Sequence, residues 1–229
     1  DEKILELRKE RIKIQTANIE RNRIDRAVAR REMYYEQIGQ ACISLPLPEF
    51  KPIIHNSVST SKEYLVCLSD LHYGATFTSL NNKYSPLIFK ERLEYLLSEL
   101  IEFVQEKELS KIHIACLGDT LQGILRASDL KLNDTSVVKA TVEISRYIAN
   151  FLSALSAYVN IEYYHVPFAN HTQIRPLGTK AGEISDEDLE YVIGHYIKDL
   201  CSNNNRIKIS LAEENQFYID INIFGGKRL

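Results

Sequence analysis

Apolar and polar positions change period several times along the chain, and each change marks an element. Residues 1 to about 40 are dense in Glu, Lys, Arg, Ile and Ala, with no Gly or Pro before Gly39. That composition predicts one long helix. Its apolar residues, among them Leu7, Ile12, Ile14, Ile19 and Ile24, hold no clean heptad. A solvated helix laying one stripe on its own domain, or on a second copy, is therefore expected before a regular coiled coil. A dimerising or nucleic-acid-contacting arm is the sharper alternative. Pro46, Pro48 and Pro52 and a Ser/Thr cluster then make residues 44–62 an extended linker. The division expected is a helical arm over 1–43, the linker, and a domain over 63–229.

Within that domain short apolar runs alternate with helical periods. Tyr64–Ser69 reads as a strand, and residues near Asn81-Asn82 as a loop. Ser85-Pro86 opens a helix, with Ser as N-cap and Pro at the first helical position. Lys111–Leu117 is a second strand, Asp134–Ala157 a helix and Asn160–Pro167 a third strand. Ser185-x-x-Asp188 resembles a capping pattern for a helix ending near Cys201, and Arg206–Leu211 and Phe217–Phe224 read as late strands before a Gly225-Gly226 turn. Alternating strands and helices predict a layered α/β sheet with right-handed crossovers. The opening on Asp rather than Met, and a stop just past a turn, suggest that both ends are cut from a longer polypeptide.

Bulk composition narrows the setting. No apolar stretch is long enough to span a membrane, and no signal-peptide pattern opens the chain. Four cysteines lie without C-x-x-C spacing, and Cys67 and Cys116 fall inside predicted strands, where buried thiols are expected. A reducing cytoplasm, bacterial or of a phage-infected host, fits best. Net charge is −3 overall. It is +3 over residues 1–32 and −6 over the remainder, a balance that neither requires nor excludes a nucleic-acid substrate.

Three motifs close three successive strands: Asp70-Leu71-His72, Gly118-Asp119 and Asn170-His171. In an open parallel sheet ligand groups collect at the carboxyl ends of strands, so all three project from one edge. Oxygen donors and imidazoles converging there suit divalent metals. Singly each motif is weak; their order and spacing together are specific. Arg126 and Arg175 follow the second and third motifs and are placed to meet a phosphate. His113 and His165 alternate within strands and are expected to be packed or hydrogen-bonded.

Over about residues 64–229 the chain resembles the calcineurin-like metallophosphoesterases, whose signature runs D-x-H, G-D, G-N-H and then later histidine motifs. After Gly118-Asp119 it resembles phage and bacterial members near the DNA-repair exonucleases. The resemblance implies a two-sheet sandwich flanked by helices and a centre of two divalent ions, Mn²⁺ first and Zn²⁺ or Fe as alternatives. It assigns Asp70 and His72 to one ion, Asp119 to a bridge, Asn170 to the second ion and His171 to protonating the leaving group. It implies phosphodiester hydrolysis, with DNA as substrate. A phosphomonoesterase and an inactive docking module using residues 1–40 for a partner protein or a second copy remain alternatives. The sequence departs from the signature at Ala169 (usually Gly), at Thr172 (often acidic) and at Gln122, where some branches carry an acid. The later histidine motifs are not found. His195 sits in a predicted helix, and the expected histidines would follow a strand beginning near Lys227.

Overall fold

The computed structural model describes residues 2–44, 63–123, 131–174, 187–212, 216, 218–223 and 227–228. The linker reading, Arg126, Arg175, Ser185 and the Gly225-Gly226 turn lie outside them. The long helix α1 spans Glu2–Ser44, and Leu7, Ile12, Ile14, Ile19 and Ile24 are exposed along it.

Four strands form one parallel sheet: β1 (Leu65–Leu68), β4 (Lys111–Cys116), β5 (Asn160–His165) and β6 (Ile207–Leu211), in the order β1-β4-β5-β6. Helices α2 (Pro86–Glu106), α3 (Val137–Ser156) and α4 (Leu189–Cys201) join them in turn. Each strand is added on the same side of the last. Right-handed crossovers then place all three helices on one face. Side-chain alternation shows this directly. Ile112, Ile114 and Cys116 of β4 and Ile161 and Tyr163 of β5 enter one core with Phe89 of α2, Ile148 of α3 and Ile193 of α4.

The opposite face carries Ala115 and Tyr164, against which Ile221 and Ile223 pack. Ile223 belongs to β7 (Asn222–Ile223), which pairs antiparallel with β8 (Lys227–Arg228) in a small hairpin. Among the described residues no helix covers this face, which explains why Cys67 is exposed rather than buried as expected, whereas Cys116 is buried. β1 is an edge strand and Cys67 points to the uncovered side.

Local signals set the helix ends. The Ser85 side chain accepts from the Ile88 N–H, and Pro86 is the first helical residue, as the sequence predicts. Ser136 caps α3 in the same way through the Lys139 N–H. For α4 the cap is Asp188, which accepts from the Glu190 N–H. The loop expected around Asn81-Asn82 is found, and it joins a two-stranded ribbon, β2 (Phe77–Thr78) with β3 (Lys83–Tyr84). Tyr84 folds back and donates its hydroxyl hydrogen to the Leu71 carbonyl, tying the ribbon to the Asp70-x-His72 loop.

Candidate metal centre

Beyond the last residues of β1 and β4 the two chains stay zipped together. Asp70 N–H donates to Gly118 O at 3.3 Å, His72 N–H to Asp119 O at 2.9 Å and Tyr73 N–H to Thr120 O at 2.8 Å. The parallel ladder thus continues into the loops and carries both motifs to one place. Asp70, His72 and Asp119 all have positive φ, at 52°, 45° and 52°. Asp and His are enriched among the non-glycine residues that adopt this region, and such backbone gathers at functional sites.

The third loop docks on the second from β5. A Cβ on Gly118 would lie 2.8 Å from Phe168 O and 3.0 Å from Ala169 Cβ, so the two loops approach closely only because residue 118 is glycine. The methyl of Ala169 occupies that space. The His171 N–H donates to Asp119 Oδ1 at 2.9 Å. His171 Nδ1 lies 3.1 Å from the Gln122 carbonyl. A carbonyl oxygen only accepts, so Nδ1 carries the hydrogen and Nε2 is left to face the centre. Gln122 therefore contributes through its backbone.

His72, Asp119 and His171 each offer one ligand atom, and the three atoms lie within 4.8 Å of one another. The two imidazoles meet edge to face with centroids 4.6 Å apart. Asp70 Oδ1 lies 3.7 Å from His72 Nε2, and its carboxylate is largely open to solvent. His72 Nδ1 is buried and has no hydrogen-bond partner among the described residues. Burial lowers the pKa of His72, helped by repulsion from His171 and opposed by Asp119 and Asp70. The neutral ring that results is the form that ligates a metal.

The donor set tests well against a divalent ion. One carboxylate and two imidazoles at this spacing suit a borderline cation, and an orphaned buried ring nitrogen is otherwise costly. Asn170 is exposed beside His171. His195 takes no part: it lies on exposed α4 surface against Tyr191, with ring centroids 4.3 Å apart. His113 and His165 are buried and hydrogen-bonded, as expected of strand residues.

The sequence profile of the YonJ coiled-coil domain family matches residues 3–44. Over 216 residues the chain is 33% identical to the SPbeta prophage-derived uncharacterized protein YonJ of Bacillus subtilis strain 168. The match covers 93% of this chain and 53% of that protein. The chain thus spans about half the length of the curated relative it matches. No solved structure matches it.

A buried polar group behind the centre escaped sequence reasoning. Glu190 Oε1 accepts from both the N–H and the hydroxyl of Thr120, at 2.8 and 2.9 Å. Its Oε2 lies 2.9 Å from His165 Nε2, and both side chains are almost wholly buried. Burial alone would favour neutral His165, but Cys116 and Glu190 outweigh it and raise the pKa to about 10. Asp188 accepts from the Ala169 N–H at 2.9 Å. Burial raises the Asp188 pKa to about 6 against these hydrogen bonds. Thr172, where an acid was expected, is buried beside Asp188. A sequence signal for Glu190 existed: it falls three residues before Ile193 and seven before Ile197, on the apolar stripe of α4.

Proposed function

We propose that the chain is the metal-binding part of a phosphodiester hydrolase acting on DNA, built on a calcineurin-like two-sheet sandwich. The convergence of His72, Asp119 and His171 at the carboxyl edge of a parallel sheet carries this reading. The position is where open α/β sheets hold their ligands, and the order of motifs follows the metallophosphoesterase signature. The hairpin on the helix-free face of the sheet is where a second sheet would stack.

On this reading Asp70 and His72 hold one ion, Asp119 is shared and Asn170 holds the other. Two such ions, Mn²⁺ first, would supply an activated water and positive charge to offset phosphoryl oxygens. Asp119 would supply negative charge to both, and its Oδ1 accepts the His171 N–H, which keeps that backbone in place. With Nδ1 held by Gln122 O, the His171 ring presents Nε2 to the centre as a third donor, and only where it is left off the ion would a proton carried there go to the leaving oxygen. α1, similar to a coiled-coil family and lined with exposed apolar side chains, would serve as an assembly arm for a second copy or a partner protein.

The test is Mn²⁺-dependent cleavage of end-labelled single- and double-stranded DNA by the full chain, beside a phosphomonoester substrate and an Asp119→Asn variant. Loss of DNA at a rate abolished in the variant supports the reading. Turnover of the monoester alone would move the protein to the phosphatases. Inert substrates with tight Mn²⁺-independent binding of a partner would make it a docking module.

A further inference from the structure

The segment that opens α4 touches both loops of the proposed centre from behind. Glu190 binds the loop after β4 through Thr120, the residue next to Asp119. Asp188 binds the loop after β5 through the Ala169 N–H, two residues before His171. The two acids are themselves joined, since Asp188 Oδ1 accepts the Glu190 N–H at 2.9 Å. Backbone bonds flank them: Leu189 N–H donates to Thr172 O at 3.1 Å, and Ile174 N–H to Glu187 O at 2.8 Å.

Such an arrangement is expensive to bury. An ionised carboxylate away from water is tolerated only with its lone pairs satisfied. Glu190 is fully buried and meets Thr120 twice and His165 once; Asp188 is buried and meets two backbone donors. Close approach of α4 is also built in. A Cβ on Gly194 would lie 2.8 Å from His165 Cδ2, so glycine there lets the helix seat against the imidazole. An apolar residue at 190 would fill the α4 stripe without these costs but would leave the Thr120 donors and His165 Nε2 unpaired.

We infer that Asp188 and Glu190 are positioning residues, a clamp that holds the Asp119 and His171 loops in register so that His72, Asp119 and His171 stay within ligand distance. The clamp rests on the metal-centre reading for its purpose, but its hydrogen bonds can be read without metal. Thr120 transmits it to Asp119, and Ala169 transmits it to His171.

The experiment uses the full chain and Mn²⁺ alone as probe. Glu190→Ala, Glu190→Gln and Thr120→Val are compared by Mn²⁺ titration and by hydrogen exchange at the Thr120 and Ala169 amides. Val104→Ala in α2, remote from the site, serves as a control of matched thermal midpoint. Glu190→Ala and Thr120→Val are expected to weaken Mn²⁺ binding, about 10-fold or more for Glu190→Ala. Glu190→Ala, which removes the acceptor of the Thr120 N–H, should also speed exchange at that amide, while Val104→Ala leaves both unchanged. Glu190→Gln keeps a carbonyl acceptor for Thr120 and should restore affinity to within about threefold of wild type. Should Glu190→Ala not fold, Thr120→Val, which conserves volume, carries the test. Wild-type Mn²⁺ affinity in Thr120→Val, which lacks the hydroxyl donor to Glu190, would overturn the clamp and leave the metal reading standing. Fast exchange in Glu190→Ala, in a protein whose wild type takes up no Mn²⁺, would uphold the clamp and overturn the metal reading.

Discussion

Gly123 offers the sharpest perturbation of the site without touching a ligand. Its φ is +64°, and a Cβ built there would stand 1.7 Å from His171 O and 2.8 Å from His171 C. Ordinary carbon–oxygen contact begins near ~3.3 Å. The His171 carbonyl would therefore have to retreat by about 1.6 Å in Gly123→Ala. Backbone cannot rotate away as a long side chain can. A retreat of that size breaks the 2.9 Å bond from His171 N–H to Asp119 Oδ1 and the 3.1 Å bond from His171 Nδ1 to Gln122 O. Left-handed backbone costs a non-glycine residue roughly 1–2 kcal/mol. A hydrogen bond to a charged group contributes about 1.5–3 kcal/mol. Together they predict a loss of about 3–5 kcal/mol, which in a chain of this size is a fall of roughly 6–20 °C in thermal midpoint. Thermal unfolding by circular dichroism, with and without Mn²⁺, measures it, and the metal-induced rise in midpoint should shrink as well. An unchanged midpoint with wild-type Mn²⁺ binding would falsify the packing of the 122–123 turn on the His171 loop, and with it the tautomer assigned to His171.

Other consequences are open to direct measurement. Asp119→Asn removes a charge from the centre and should abolish Mn²⁺ binding measured by calorimetry, while the backbone bonds from His72 and to Gly118 keep the fold. His165 has a raised pKa, so its contribution to stability is complete below pH 6.5 and is lost as pH rises through about 10. The midpoint of wild type should fall across that window more steeply than that of His165→Gln; parallel profiles would show that the imidazole is neutral in the fold. Ser85→Ala removes the cap on α2 and should cost about 1 kcal/mol in urea unfolding without altering Mn²⁺ affinity.

What the sequence revealed and what it hid follow from the same physics. The three motifs were legible because apolar runs mark strands, and a parallel sheet collects its chemistry at one edge. Cys67 was misread because a strand pattern gives alternation but not which face is covered. The covering depends on strand order, and the monotonic order β1-β4-β5-β6 puts the crossover helices α2, α3 and α4 on the side away from Cys67. Gln122 looked like a lost acid because the resemblance directs attention to a side chain at that position, whereas here the carbonyl accepts from His171 and leaves no trace in residue type. Thr172 likewise looked like a defect, yet the carboxylate near it arrives from another element, Asp188 of the α4 cap. Glu190 is the most instructive omission. An acid on the apolar stripe of an amphipathic helix conflicts with the pattern that defines the helix. In a folded protein such a conflict persists only where a donor waits for it, here the Thr120 N–H and hydroxyl beside Asp119. The break in the stripe therefore pointed to the site more directly than the pattern around it.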